Sequence, residues 1–489
     1  ARLLDLDRPV EAPPAWAPAL PAARLGEPGF RRLYGVRLAY MAGAMANGIA
    51  SEDVVIAMGR AGLLGSFGAA GLVPARVEDA VRRIQEALPH GPYAFNLIHS
   101  PAEEALERGA VDLYLRHAVR TVEASAFLDL TPHIVRYRVA GLRRLPDGRV
   151  DAANRVIAKV SRREVATKFM LPAPPAMLQA LVAAGHVTAE QAHLAAAVPL
   201  CDDVTAEADS AGHTDNRPLV SLLPSLIALR DEIQSRQRYP TPVRVGAAGG
   251  IGTPAAALAA LAMGAAYVVT GSVNQACVEA GASPHTKALL AGAGMADVMM
   301  APAADMFEMG VKVQVLKKGT FFPLRAQRLY ELYQSHASLD DIPAADRDRL
   351  ERQIFRRSLD AVWDETARYF RERDPEQLAR AEGNPKRKMA LLFRWYLGLS
   401  SRWSNAGEAE RETDYQIWCG PAMGAFNDWV RGTSLEPAER RRVAGIAHHL
   451  MTGAAYQWRV ALLRTQGIDV PPDLSAYSPD WDVRPSSAS

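Results

Sequence analysis

The sequence predicts an α/β fold in which eight parallel strands close into a barrel, with a helical insertion before the sixth strand and a helical region at the C-terminus. Two observations carry this. Between Gly35 and Gly281, short apolar β-prone runs alternate with helical segments, the pattern of βα units around a parallel sheet. Those runs number eight, enough to close a (β/α)8 TIM barrel in roughly 250 residues. A chain of 489 residues, 49% hydrophobic and 22% charged, can bury a core of that size.

The expected strands, in order, are VRLAYM (Val36 to Met41), LLGSF (Leu63 to Phe67), YAFNLI (Tyr93 to Ile98), TVEAS (Thr121 to Ser125), VIAKV (Val156 to Val160), DVTAEA (Asp203 to Ala208), VRVGAA (Val243 to Ala248) and YVVTG (Tyr267 to Gly271). Between them, Pro74 to Leu88 keeps Val77, Val81, Ile84 and Leu88 at helical spacing, and Pro101 opens a segment with acidic residues in its first turn. LRRLPDGRVDAANRV (Leu142 to Val156) has an Asp-Gly turn between β-prone flanks and reads as a hairpin. Met170 to Val198 reads as a helical insertion, an Ala/Leu-rich run behind Pro172, Pro174 and Pro175. Beyond Gly319 charged helices take over, and every Trp except Trp16 follows Asp360. The expected organisation is an N-terminal extension (1–34), a barrel (35–320, insertion about 170–198), a helical C-terminal region (321–480) and a disordered tail (481–489).

Composition excludes several function classes. Lys+Arg 56 against Asp+Glu 54 leaves a net charge of +2, no footprint for nucleic acid. Cys201, Cys277 and Cys419 are odd in number and far apart, which suggests neither disulfides nor zinc and fits the cytoplasm. The N-terminus has no basic region followed by an apolar core, so it is not expected to be a signal peptide. The missing initiating Met suggests a trimmed chain or an excised domain. Ala255 to Val269 is shorter than the ~20 apolar residues of a membrane span.

The strongest chemical signal is VRVGAAGGIGTPAAALAALAMGAAYVVTGSVNQ (Val243 to Gln275). Gly249, Gly250 and Gly252 are expected to let the backbone approach a ligand, while Thr253 caps and Pro254 opens the next helix. Thr270, Gly271 and Ser272 form a second small-residue turn, and loops after barrel strands seven and eight commonly share one phosphate site. GRAGLLGSFGAAG (Gly59 to Gly71) lacks GxGxxG spacing, so no dinucleotide fingerprint is read there. EADSAGHTDNRP (Glu207 to Pro218) follows the sixth strand and offers His213 as an acid or base near neutral pH. Asp202, Asp203, Glu207, Asp209 and Asp215 could instead gather a hard metal with His213. Lys159 ends the fifth strand, where it could form a Schiff base or hold an anion. Asn96 offers a donor and an acceptor to a heterocycle edge, beside the small residues of MAGAMANGIAS (Met41 to Ser51).

YMAGAMANGIAS, FNLIHSP, VIAKVS, EADSAGHTDNRP, GAAGGIGTP, TGSVNQ and DYQIWCGPAMGAFNDW together resemble the PfaD-type, trans-acting FMN-dependent enoyl reductases of polyketide and polyunsaturated fatty-acid synthases, within the 2-nitropropane dioxygenase-like flavin barrel family. The resemblance covers most of the chain. It implies FMN, NADPH as electron source, and an enoyl thioester on an acyl carrier protein or carrier domain; a homodimer is compatible with it. It places Gly249, Gly250, Gly271 and Ser272 on the FMN phosphate, Ala42, Gly43, Asn96 and Lys159 around the ring, and His213 as proton donor; Lys159 would stabilise charge on the reduced ring. No metal is implied. Rival readings are a nitronate monooxygenase, a Schiff-base aldolase on Lys159 and a non-catalytic docking module of a synthase. An inosinate-dehydrogenase-like reading needs a Cys after the sixth strand, and Cys201 precedes it.

Overall fold

Eight strands form the barrel: β1 (Tyr40–Ala42), β2 (Leu64–Phe67), β3 (Ala94–Ile98), β4 (Thr121–Ser125), β5 (Arg155–Val160), β6 (Asp203–Glu207), β7 (Arg244–Ala248) and β8 (Val268–Thr270). Each pairs in parallel with its neighbour in sequence, and β8 pairs back onto β1 to close the ring. The computed structural model describes residues 17–99 and 104–480. The helix start expected at Pro101 and the tail expected to be disordered lie outside them. Seven strands fall within one residue of the expected runs. β1 starts late because Gly35 caps the helix Pro28–Tyr34 in the left-handed region, with Val36 N donating to Arg31 O and Arg37 N to Gly62 O. The ladder begins only at Tyr40.

Period-two alternation divides the strand residues between two cores. Met41, Leu64, Ala94, Ile157, Ala248 and Val269 point into the barrel and join Tyr267, Phe30 and Tyr34 in one cluster. Ala42, Val122, Val156, Val204, Val245 and Val268 point outward, against the helices. Pro28–Tyr34 thus plugs the N-terminal end of the barrel, with Phe30 stacked 4.1 Å from Tyr267. Beside this plug, buried Arg244 pairs with Asp203 through two 2.7 Å bonds, and Tyr34 donates to the same carboxylate.

Between β4 and β5 the hairpin Leu142–Arg144 and Val150–Ala152 forms as expected, and the helices Pro175–Ala183 and Ala189–Ala195 follow β5. A three-stranded antiparallel sheet was not expected: Gly212–His213, Lys312–Leu316 and Val298–Pro302. A two-residue strand leaves no periodic pattern, and its partner lies about a hundred residues away in the chain.

The C-terminal region also differs from the single unit expected. Phe322, Leu329, Phe355, Phe393 and Tyr396 build a second core. Ile446, Leu450 and Ala454, on the helix Val443–Thr465, return to the barrel's outer core, where that helix packs on Pro254–Ala262. No helix among the described residues is long and apolar enough to cross a membrane.

Removing one partner of a buried ion pair leaves the other charge unpaired. Asp203→Ala is expected to lower stability by about 3–5 kcal/mol, read from urea unfolding midpoints; an unchanged midpoint would show that Arg244 finds solvent.

Candidate active site

At the C-terminal end of the strands the inward positions turn polar. Asn96 from β3, Glu123 from β4, Lys159 from β5 and Glu207 from β6 all line one cleft, with Gly43 following β1. Lys159 Nζ lies 3.1 Å from Glu207 Oε1. Burial works against the ammonium, but the Glu207 and Glu123 carboxylates outweigh it and raise the Lys159 pKa. A raised pKa is the opposite of what activates a Schiff-base lysine, so the site does not favour the aldolase reading. Glu123 is buried, and its Oε2 accepts from Ala44 N at 2.8 Å.

Two expected ring contacts change. Ala42 is fully buried on the outer face of β1, because its neighbour Met41 takes the inward position. Asn96 lines the cleft, yet its Nδ2 donates to Glu123 O and Ser125 Oγ, so only its carbonyl oxygen remains to offer. Gly43, Lys159, Gly249, Gly250, Gly271 and Ser272 all line the cleft.

The glycine loops divide by what surrounds them. A Cβ on Gly249 would lie 2.7 Å from the Ala208 carbonyl carbon, and one on Gly252 2.1 Å from Ala422 O. These two glycines admit protein backbone, so Gly252 does not serve ligand approach as expected. Gly250 (φ +72°) and Gly271 instead face open space. The N–H groups of Gly250, Gly271 and Ser272 have no partner among the described residues. Thr253 Oγ1 caps the next helix through Ala256 N, and Ser272 Oγ accepts from Gly420 N.

His213 sits on a strand where a loop was expected. It lies opposite Val313 in the small sheet, and the turn joining the two longer strands carries Asp305. His213 Nε2 is 3.1 Å from Asp305 Oδ1. Burial opposes the imidazolium, but the bond to Asp305, its charge and that of Glu207 prevail, so the His213 pKa is raised. Burial likewise opposes the Asp305 carboxylate, and His213 reverses the balance and lowers its pKa.

The acidic residues considered as metal ligands are dispersed. Asp202 pairs with Arg138, Asp203 with Arg244, Asp215 with Arg162, and Asp209 accepts from Gln314 and Asn216. Among the described residues no cluster of three or more candidate ligands forms. Trp418 lines the cleft and bridges to Val315, while Cys419 is buried and its thiol is pushed up to about 12, chiefly by that burial.

Glu123, Asp305 and Arg394 escaped the sequence reading. Glu123 had a signal: a lone acid between Val122 and Ala124, at inward parity. The other two had none, since tertiary packing alone brings them to the mouth. The helix Pro385–Ala406 roofs the cleft, which measures about 1400 Å³. Asn47 Nδ2 donates to Ser401 Oγ on the cleft lining, and Arg387, on the same helix as Ser401, pairs with Glu308.

Residues 36–327 match the family model described as nitronate monooxygenase. The chain belongs to the nitronate monooxygenase family. Residues 336–415, the roof helix included, match the inserted helical domain of [acyl-carrier-protein] S-malonyltransferase. The chain is 53% identical to one of the polyunsaturated fatty acid synthase proteins of a Thraustochytrium species, over 90% of this chain and 30% of that protein. It is 47% identical to polyketide biosynthesis protein PksE of Bacillus subtilis, over 89% of this chain and 56% of that protein. It therefore spans only part of these curated relatives. The enoyl reductase domain of MlnA, from the macrolactin cluster of Bacillus amyloliquefaciens, superposes with a TM-score of 0.85 at 40% identity, over 91% of this chain and 99% of that domain.

Membership of this family implies a flavin. The mouth fits one: free N–H groups around an open cradle suit a phosphate, and a charged lysine suits an electron-rich ring. Gly271→Ala would place a Cβ in the cradle with no protein atom within 4 Å of it. It is expected to fold normally but bind flavin roughly tenfold more weakly or worse, the loss of one charge-assisted hydrogen bond of about 1.5–3 kcal/mol, read from visible absorbance in a flavin titration.

Proposed function

We propose that this chain is a trans-acting enoyl-[acyl-carrier-protein] reductase of polyketide or polyunsaturated fatty-acid biosynthesis, working in the cytoplasm with a carrier-bound enoyl thioester. The observation that carries the reading is His213, fixed by Asp305 over the same cleft as Lys159. The likeness to the MlnA enoyl reductase domain, which the chain covers almost end to end, supports it. FMN is the proposed flavin and NADPH the proposed donor, the latter by resemblance.

FMN, when bound, would supply the two-electron chemistry by which the enoyl thioester gains hydride at its β-carbon. Gly250, Gly271 and Ser272 would hold its phosphate through their N–H groups. Lys159 would place positive charge beside the ring, and Glu207 and Glu123 favour its ionised form. His213 gives a proton to the α-carbon and is left neutral; Asp305 orients the ring and favours its acid form before transfer. The roof helix Pro385–Ala406 limits water access from above.

His213→Ala is expected to retain flavin and lose about 10²–10⁴-fold in enoyl thioester reduction; near wild-type turnover would remove His213 from the chemistry. The acid form of a histidine with raised pKa is present below that pKa and is lost as pH rises through it. Activity should therefore fall on the alkaline side. Asp305→Asn removes the supporting charge, so that limb should move to lower pH, toward the ordinary histidine value of about 6.5. A pH profile of turnover checks this. Oxygen uptake with alkyl nitronates that outpaces enoyl thioester reduction would favour a monooxygenase instead.

A further inference from the structure

The roof helix carries a charged group that the chemistry above does not use. Arg394 lines the cleft, and its side chain is only 11% exposed. Among the described residues its one ionic contact is Glu308 Oε1 at 3.5 Å, and that oxygen is already bonded to Arg387 at 2.5 Å. The other nearby carboxylate, Asp305, is committed to His213. Among the described residues the Arg394 guanidinium makes no hydrogen bond in range. That leaves its N–H donors to a ligand or solvent in the cleft, and its charge acts on Asp305, the carboxylate that holds His213. Gly398, one turn along the same helix, faces open space and leaves the approach clear.

Hydride addition to the β-carbon of an enoyl thioester shifts the C=C electron pair toward the carbonyl, so the thioester oxygen gains negative charge until the α-carbon is protonated. We propose that Arg394 is a catalytic residue that binds this oxygen and stabilises the charge as it develops. The proposal rests on the enoyl reductase reading. As the new C–H bond forms at the β-carbon, the electron pair moves to the oxygen held by Arg394. It returns when His213 delivers its proton to the α-carbon, which restores the C=O bond and leaves His213 neutral. The hydride comes from flavin reduced by the nicotinamide donor, so electrons balance without another reductant. Arg394 thereby acts on the step that oxidises the flavin and not on the step that reduces it.

Stopped-flow measurement of the two half-reactions tests this, with crotonyl-CoA as the enoyl thioester and NADPH as donor. In Arg394→Met, reoxidation of reduced flavin by crotonyl-CoA should slow by about 10²–10³-fold, the usual effect of removing one oxyanion donor. Flavin content, melting temperature and reduction by NADPH should stay near wild type. Reoxidation within about threefold of wild type would overturn the proposal. Should the Met variant lose its fold or flavin, Arg394→Gln, which is shorter, loses the charge and keeps only an amide NH2, decides by the same criterion. Loss of fold in both would overturn the proposal in favour of a structural role. If flavin-loaded wild type reacts with no enoyl thioester, the functional reading itself falls, and the proposal with it, a result distinct from a defect confined to the variants.

Discussion

The ladder that closes β8 onto β1 is the constraint on which the site depends. In that register Tyr40 faces Val268 and Ala42 faces Thr270, and Tyr40 and Thr270 share a buried hydroxyl contact outside the barrel. Strand side chains alternate with period two, so closure in one register fixes the parity of the ring. A slip by one residue would exchange Glu123 for Ala124 and Lys159 for Val160, and move the charges into the outer apolar core. Parity thus assigns the lower half of the barrel to Met41, Leu64, Ala94 and Ile157, and the mouth to groups that carry charge.

At that mouth one cation stands between two carboxylates. Burial lowers the Lys159 pKa; Glu207 at 3.1 Å and the charge of Glu123 reverse the balance. His213 and Asp305 repeat the logic on a separate scaffold, where the pair is stabilised in its charged form despite burial. The two pairs are linked through Glu207, whose charge favours the acid form of His213, while Lys159 opposes it. Acid strength at His213 therefore depends on side chains from the barrel, the small sheet and the loop within it.

Local patterns were the legible part of the fold. Seven of eight strands, the hairpin and the glycine turns all write their geometry into a few consecutive residues. β1 was misjudged at its start because a helix cap and two loop bonds compete with the ladder there. Gly252 reads like its neighbours in sequence, and only the approach of Ala422, 170 positions on, gives it a different task. Residue type and place along the chain sufficed to bring Lys159, His213 and Asn96 to one cleft. Ala42 failed on parity, which one residue of register decides. Asp305 and Arg394 reach the mouth through the small sheet and the roof helix, and neither element leaves a short-range signal that points to the barrel.

The path of the C-terminal chain bears on how this molecule can be taken apart. After building the roof, it returns as Val443–Thr465 to cover Pro254–Ala262, the helix that Thr253 caps beside the glycine cradle. The segment matched by the family model ends at residue 327, well before that helix. Cutting there would strip apolar cover from the barrel wall beside the glycine loop. The boundary drawn by sequence similarity is thus not a packing boundary: a chain that ended there would leave Pro254–Ala262 without the helix that covers it.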